Sequence, residues 1–290
     1  MENIKISQVC GLCAGCHFAI NTAIEEIKKG NSVTIFKEIV HNNNVNNYLT
    51  SLGAKFEDNI ENLSNKDIVI IRAHGEPPST YKILNSNNIS YKDCTCHNVK
   101  AIHTLVNKYS DDGYRVIIIG KSQHPEVLGT VGWTKDSIVI ENENDITKLN
   151  NLSNEKLYLV CQTTFNISKA DELIEKIRTT AKQNNCELIV NKSICSAQKV
   201  INDFSYKLAK ESDIMIVVGG KKSSNSLELF NNVSRVCPSI FIEDIHTYKD
   251  ALKDKNLSIT STTKVGITAG ASTMKDELFE LKTLIENDIK

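Results

Sequence analysis

Nine short β-rich apolar runs, alternating with amphipathic helical patterns along the whole chain, constrain its fold more than any other feature. They are SVTIF (32–36), DIVIIRA (67–73), YRVIIIG (114–120), SIVIE (137–141), KLYLVC (156–161), CELIV (186–190), DIMIVVGG (213–220), SIFIED (239–244) and VGITAG (265–270). Near-continuous apolar runs suit strands buried on both faces, and helical connections between them favour parallel pairing. An α/β fold with parallel sheets and helices on their faces is therefore predicted. In the first helical pattern Ile20, Ala23, Ile24 and Ile27 fall at i, i+3, i+4 and i+7, Glu25, Glu26, Lys28 and Lys29 lie outside, and Gly30 stands at C′.

Cys13, Cys96 and Cys195 divide the chain into stretches of similar length, and each precedes a helical pattern. Backbone N–H groups and the helix dipole favour a thiolate at such a place. This recurrence predicts three related α/β lobes around a central site, with lobes at 1–96, 97–194 and 195–290. Three thiolates hold three corners of an iron-sulfur cube and leave the fourth iron open to a substrate, unlike the fully ligated cluster of an electron carrier. Neighbouring thiols keep other arrangements open. Cys10-Gly-Leu-Cys13-Ala-Gly-Cys16 also has the spacing of a ferredoxin loop or half a zinc site, with Cys94, Cys96 or His97 available as a further ligand.

Composition narrows the function classes. The chain has 290 residues, with 34 Lys plus Arg against 35 Asp plus Glu, so no global basic field suggests nucleic acid. No apolar run approaches the roughly 20 residues of a membrane span, and MENIKISQVCG lacks a signal-peptide core; a cytoplasmic location is expected. Nine cysteines are too dilute for a disulfide scaffold in a chain this long, and reduced thiols are the better reading. Cys161, Cys186 and Cys237 lie in apolar runs, where a thiol serves as a small hydrophobe.

Polar segments close the predicted strands or open the helices after them: AHG (73–75), QHPEVLGT (123–130), QTT (162–164), KKSSNS (221–226) and TAGAST (268–273). In parallel α/β sheets ligands bind outside the carboxyl ends of the strands. Hydroxyl, amide and imidazole groups at helix N-termini suit phosphate. His41, His74 and His124 share this placement. Ser223, Ser224 and Asn225 supply small polar groups, one of which also suits a helix cap. Glu126, two residues after His124, suits proton delivery if burial raises its pKa.

Together, GLCAG (11–15), VHN (40–42), AHG, TC (95–96), HPEV and GT (124–130), QTT, IC (194–195), SSNS (223–226) and TAGAS (268–272) resemble the 4-hydroxy-3-methylbut-2-enyl diphosphate reductase family, IspH or LytB, in family order along essentially the whole chain. The resemblance implies a trefoil of three α/β lobes around a [4Fe-4S] cluster held by Cys13, Cys96 and Cys195. It further implies diphosphate contacts from His41, His74, Ser223, Ser224, Asn225 and Ser272 with His124 close by, proton delivery from Glu126, and Thr163 orienting the substrate hydroxyl. The implied reaction uses two electrons and two protons to release that hydroxyl as water, giving isopentenyl and dimethylallyl diphosphates. Ferredoxin or flavodoxin is the implied electron donor.

Departures surround the cluster motifs. Cys10, Cys16 and Cys94 are not ligands in the family, and His97 stands where a proline is usual. Ser196 and Gln198 occupy a stretch that commonly carries tyrosine and threonines. Glu76 follows AHG in place of an uncharged residue, and either faces the diphosphate or caps the following helix. The same scaffold acting on another small anionic substrate is one alternative. A redox sensor or electron carrier, with Cys16 or Cys94 on the fourth iron, is another.

Overall fold

The computed structural model describes residues 3–40, 42–221, 223–271 and 273–289, and the Ser224 side chain is also left out of the description. Among these residues are twelve strands: β1 (Ile4–Ile6), β2 (Val33–Phe36), β3 (Lys55–Glu57), β4 (Ile68–Ile71), β5 (Tyr91–Asp93), β6 (Arg115–Ile119), β7 (Ser137–Ile140), β8 (Lys156–Cys161), β9 (Glu187–Asn191), β10 (Ile214–Val218), β11 (Ser239–Ile242) and β12 (Val265–Ala269). All nine apolar runs form strands, and every recorded pairing is parallel. The expected α/β class is the one observed. The strands missed by the apolar pattern, β1, β3 and β5, are three residues long, too short for a periodic signal.

Three four-stranded sheets result, ordered β3-β2-β4-β5, β7-β6-β8-β9 and β1-β12-β10-β11. Read from its other edge, the last becomes β11-β10-β12-β1, the same connectivity with the N-terminal strand in fourth place. A division at residue 96 groups Ile4–Ile6 with the first lobe, whereas the strand pairs with β12 through Ile4↔Val265 and Ile6↔Ile267.

One compact unit comprises Met1–Ile24, Glu38–Ala54 and Ser196–Lys290 and contains the β1-β12-β10-β11 sheet. Alternate β10 side chains serve its two faces. Ile214, Ile216 and Val218 pack with Ile4, Ile267, Leu278 and Leu281, while Met215 and Val217 pack with Ile201 and Leu229. Burial on both faces explains why β10 is apolar without alternation. Helix Asn43–Ser51 also belongs to this unit: Asn42 caps it, and Asn44 Nδ2 donates to the Glu243 carbonyl and to Glu277 Oε2 at 3.0 and 3.1 Å.

The other unit comprises Glu25–Lys37 and Lys55–Cys195 and contains the remaining two sheets. Here β6 repeats the logic, with Ile117 and Ile119 packed on helix Ile167–Gln183 and Val116 and Ile118 against Ile102 and Val106 of helix His97–Asp111. Gly30 ends the first helical segment with φ +83°, as expected for a C′ glycine. No helix among the described residues is long and apolar enough to cross a membrane.

Ile267 on the central strand β12 is fully buried. Its truncation in Ile267→Ala should cost about 2–5 kcal/mol, read from the urea midpoint at unchanged m-value.

Candidate active site

Each of the three cysteines follows the fourth strand of one sheet, and its backbone is bonded to the polar segment beyond the neighbouring strand. After β5, Cys96 N–H donates to the Ala73 carbonyl of AHG at 2.9 Å; after β9, Cys195 N–H donates to the Thr163 carbonyl of QTT at 2.8 Å. After β1, Cys13 N–H donates to the Ala271 carbonyl of TAGAS at 3.4 Å. Parallel pairing brings both segments of each pair to the carboxyl edge of their sheet, so the cysteine and the polar motif emerge side by side.

All three cysteines are partly exposed, and each stands immediately before a helix: Ala14–Lys28, His97–Asp111 and Ser196–Lys210. Cys13 has its thiol pKa pulled down to about 6, first by the hydrogen bond with Cys16 and then, against burial, by backbone N–H groups around the helix start. Asn98 Nδ2 donates to Cys195 Sγ at 3.3 Å. Three reduced sulfurs with helix N-termini behind them are a suitable donor set for iron.

The neighbouring thiols are placed differently. Cys10 turns into the core of the β1-β12-β10-β11 sheet, where its Sγ donates to the Ser7 carbonyl at 3.1 Å and burial raises its pKa. Cys94 is likewise buried. Cys16 Sγ stands 3.5 Å from Cys13 Sγ. Among the described residues no three His, Cys, Asp or Glu side chains stand close enough to hold a single metal ion. Cys161 is buried and its thiol is pushed up to about 12, whereas Cys186 and Cys237 are only partly buried, beside their strands.

Glu126 and Thr163 form the most sharply defined polar pair. Thr163 donates its backbone N–H to Glu126 Oε1 and its hydroxyl to Oε2, both at 2.6 Å. Glu126 is 3% exposed, and burial lifts its carboxyl to about 7 against the opposing pull of the two Thr163 hydrogen bonds. Helix Pro125–Val131 positions the carboxylate: His124 caps it, its Nδ1 accepting from Glu126 N–H at 3.2 Å, and proline occupies the first turn. That bond leaves the proton of a neutral His124 ring on Nε2. The His124 ring meets His74 edge-on, with centroids 5.4 Å apart.

The loop carrying His74 is tightly supported. Gly75 has φ +73°, and a Cβ there would come within 2.6 Å of His103 Cε1 and 2.9 Å of Thr95 Cγ2. His103 stacks on Trp133, whose Nε1 donates to the Glu76 carbonyl at 3.0 Å. Glu76 does not cap the next helix; Pro77 holds that position. Its carboxylate instead meets Lys37 Nζ at 2.9 Å and Arg72 Nε at 3.2 Å, so its charge is compensated. Neither cation was singled out by motif or spacing. The i, i+4 relation of Arg72 and Glu76 was the available clue, hidden because the pair spans a turn and not a helix.

In the other unit Ser223 caps helix Ser224–Ser234, its Oγ accepting from Ser226 N–H at 3.4 Å and from Ser226 Oγ at 3.1 Å. Asn225 lies in the first turn, and Gln198 Nε2 donates to its carbonyl at 3.3 Å. Gln198 Oε1 is buried without a hydrogen-bond partner among the described residues. Ser196 is exposed. His41, Ser272 and the Ser224 side chain lie outside the described residues.

Two outcomes follow from these environments. Glu76→Ala should lower stability by about 3 kcal/mol, because Arg72 remains buried without that carboxylate; a double-mutant cycle with Arg72→Met should recover part of the loss. For Glu126, the raised folded pKa stabilises the fold below the ordinary carboxylate value, and that contribution disappears as pH rises to about 7. Relative to Glu126→Gln, the native chain should therefore lose about 3 kcal/mol between pH about 4.5 and 7 in unfolding titrations. An infrared band of a protonated carboxyl titrating near 7 should vanish in the same variant.

The description of the LytB protein family matches residues 4–286. A 4-hydroxy-3-methylbut-2-enyl diphosphate reductase of Clostridioides difficile (strain 630) is 36% identical, covering 98% of this chain and 99% of the relative. One of Clostridium perfringens (strain 13 / Type A) is 34% identical, covering 94% of each. A solved structure of (E)-4-hydroxy-3-methyl-but-2-enyl diphosphate reductase, described as the terminal enzyme of the non-mevalonate pathway, superposes with a TM-score of 0.77 at 32% identity, over 98% of this chain and 99% of that one. The Plasmodium falciparum E-1-hydroxy-2-methyl-but-2-enyl-4-diphosphate reductase gives 0.82 at 29% identity, over 97% and 87%. Its matched span, sheet order and motif placement make this chain a member of the LytB family.

Proposed function

We propose that this chain reduces 4-hydroxy-3-methylbut-2-enyl diphosphate to isopentenyl and dimethylallyl diphosphates, taking up two electrons and two protons and releasing water. The observation that carries the reading is the Glu126–Thr163 pair: a buried carboxyl that keeps a proton near neutral pH, bonded to a hydroxyl whose own backbone carbonyl holds the Cys195 segment. A carrier protein has no use for such a proton donor.

Cys13, Cys96 and Cys195, each a partly exposed thiol just before a helix, would hold a [4Fe-4S] cluster. When bound, that cluster supplies the electrons and an open iron that acts as a Lewis acid toward the departing hydroxyl.

The protein side of the reaction is proton placement and anion binding. Thr163 orients the substrate hydroxyl, and Glu126, once protonated, delivers its proton across the 2.6 Å contact with Thr163 Oγ1 by reversing that hydrogen bond, the carboxyl donating and the hydroxyl accepting. Its pKa of about 7 makes it half protonated at neutral pH, the condition in which one group both gives and regains a proton readily. His74 and His124, with Ser223, Ser224 and Asn225, would bind the diphosphate, and His41 and Ser272 complete the set. Helix Ser224–Ser234 contributes backbone N–H groups at its start, where anions bind. Glu76 does not oppose this, because Arg72 and Lys37 compensate it. Binding of the remote diphosphate orients the allylic end. Ferredoxin or flavodoxin would be the electron donor.

Anaerobic reconstitution with iron and sulfide tests the reading. Mössbauer spectra should show one distinct iron whose signal changes when the hydroxylated diphosphate is added, with turnover under a low-potential reductant. Glu126→Gln should lower turnover by about 10²–10⁴-fold at unchanged iron and sulfide content. Four equivalent irons without turnover would sink the assignment, and full activity of the variant would remove the role of Glu126.

A further inference from the structure

Cys16 has no part in the reaction proposed above, yet its sulfur lies in contact with that of Cys13, 3.5 Å away. The two residues stand in Cys13-Ala14-Gly15-Cys16, one just before helix Ala14–Lys28 and the other in its first turn. An i, i+3 relation on a helical turn holds Cβ atoms about 5–6 Å apart, about 1–2 Å beyond the roughly 3.5–4.5 Å that a disulfide bridges. Both residues are partly exposed, and a small oxidant in solvent can reach them. Joining them requires the backbone of this first turn to tighten by about 1–2 Å between the two Cβ atoms, with rotation about both Cα–Cβ bonds to set the sulfurs. Cys10, Cys94 and Cys161 are buried and lack that access.

We propose that Cys13 and Cys16 form a reversible intrachain disulfide, by exchange with a low-molecular-weight disulfide such as oxidised glutathione, whenever Cys13 is not engaged by iron. The pairing itself stands on the sulfur–sulfur geometry; only its consequence for cluster assembly rests on Cys13 being a ligand.

The thiolate of one cysteine attacks a sulfur of oxidised glutathione, breaking the glutathione S–S bond and forming a mixed disulfide while one glutathione leaves. The second cysteine's thiolate then attacks the protein sulfur of that mixed disulfide, forming the Cys13–Cys16 bond and releasing the other glutathione. The two cysteine thiols lose two electrons and two protons, and glutathione disulfide gains both. Locked in this form, Cys13 is shielded from irreversible oxidation to sulfinic and sulfonic acids. Reduction by a dithiol returns both thiols and makes Cys13 available to iron again.

The test uses the full-length chain, first freed of iron and sulfide, exposed anaerobically to millimolar oxidised glutathione, then alkylated, digested and mapped by mass spectrometry. The expected product is a peptide carrying a Cys13–Cys16 bond, two hydrogens lighter than the reduced form and restored by dithiothreitol. In Cys16→Ser, whose fold is checked by circular dichroism, Cys13 should retain glutathione about tenfold more than in the native chain. A thiol already in contact outcompetes the free reagent by its effective concentration. Equal glutathione on Cys13 in both chains, or a bond from Cys13 to any other cysteine, would overturn the proposal. Repeating the exposure after reconstitution with iron and sulfide isolates the ligand question. Protection of Cys13 by about tenfold supports its ligation, whereas no protection removes Cys13 from the ligand set and leaves the disulfide standing.

Discussion

The hydrogen bond from each cysteine N–H to the segment beyond the adjacent strand is the contact on which the candidate site depends. Cys13 with Ala271, Cys96 with Ala73 and Cys195 with Thr163 repeat one device on three sheets. Parallel pairing makes the device available, because every strand of such a sheet ends on the same edge and the loops leaving it are neighbours. The β3-β2-β4-β5 and β7-β6-β8-β9 connectivities match, and the third sheet reaches the same order only by taking β1 from the start of the chain. Cys13, near the N-terminus, is thereby placed beside TAGAS, near the C-terminus.

Two buried glutamates show how environment sets the use of one side chain. Glu76 meets Lys37 and Arg72, and its charge is retained and compensated. Among the described residues, the Glu126 carboxyl meets the Thr163 hydroxyl and backbone N–H, which offset part of the cost of burial, so its proton is held to about pH 7. The first arrangement stiffens the loop carrying His74. The second leaves a proton available for chemistry, at the expense of fold stability when the group ionises.

Departures from the family motifs separate in the same way. Cys10 is absorbed into a core, its thiol bonded to the Ser7 carbonyl, and Cys94 is buried. Cys16 remains in contact with Cys13. Gln198 bonds the Asn225 carbonyl and keeps a buried oxygen without a hydrogen-bond partner among the described residues, beside the first turn of Ser224–Ser234. Their spacing alone gave all of these residues equal standing.

Much of this molecule was legible in its one-dimensional pattern, and for a simple reason. Strands buried on both faces, such as β6 and β10, must be apolar throughout, and helix caps such as Ser223 and Gly30 act within a few residues of chain. Local periodicity and local hydrogen bonding therefore determined the α/β class, the nine longer strands and the motifs at their carboxyl ends. Long-range placement had no such signature. The three-residue strands β1, β3 and β5 exist because longer neighbours pair with them, and the compensation of Glu76 by Lys37 comes from a residue far along the chain. The tertiary structure alone decided which carboxylate is paired and which keeps its proton, because burial and the identity of spatial neighbours, not sequence spacing, set the free energy of a charge.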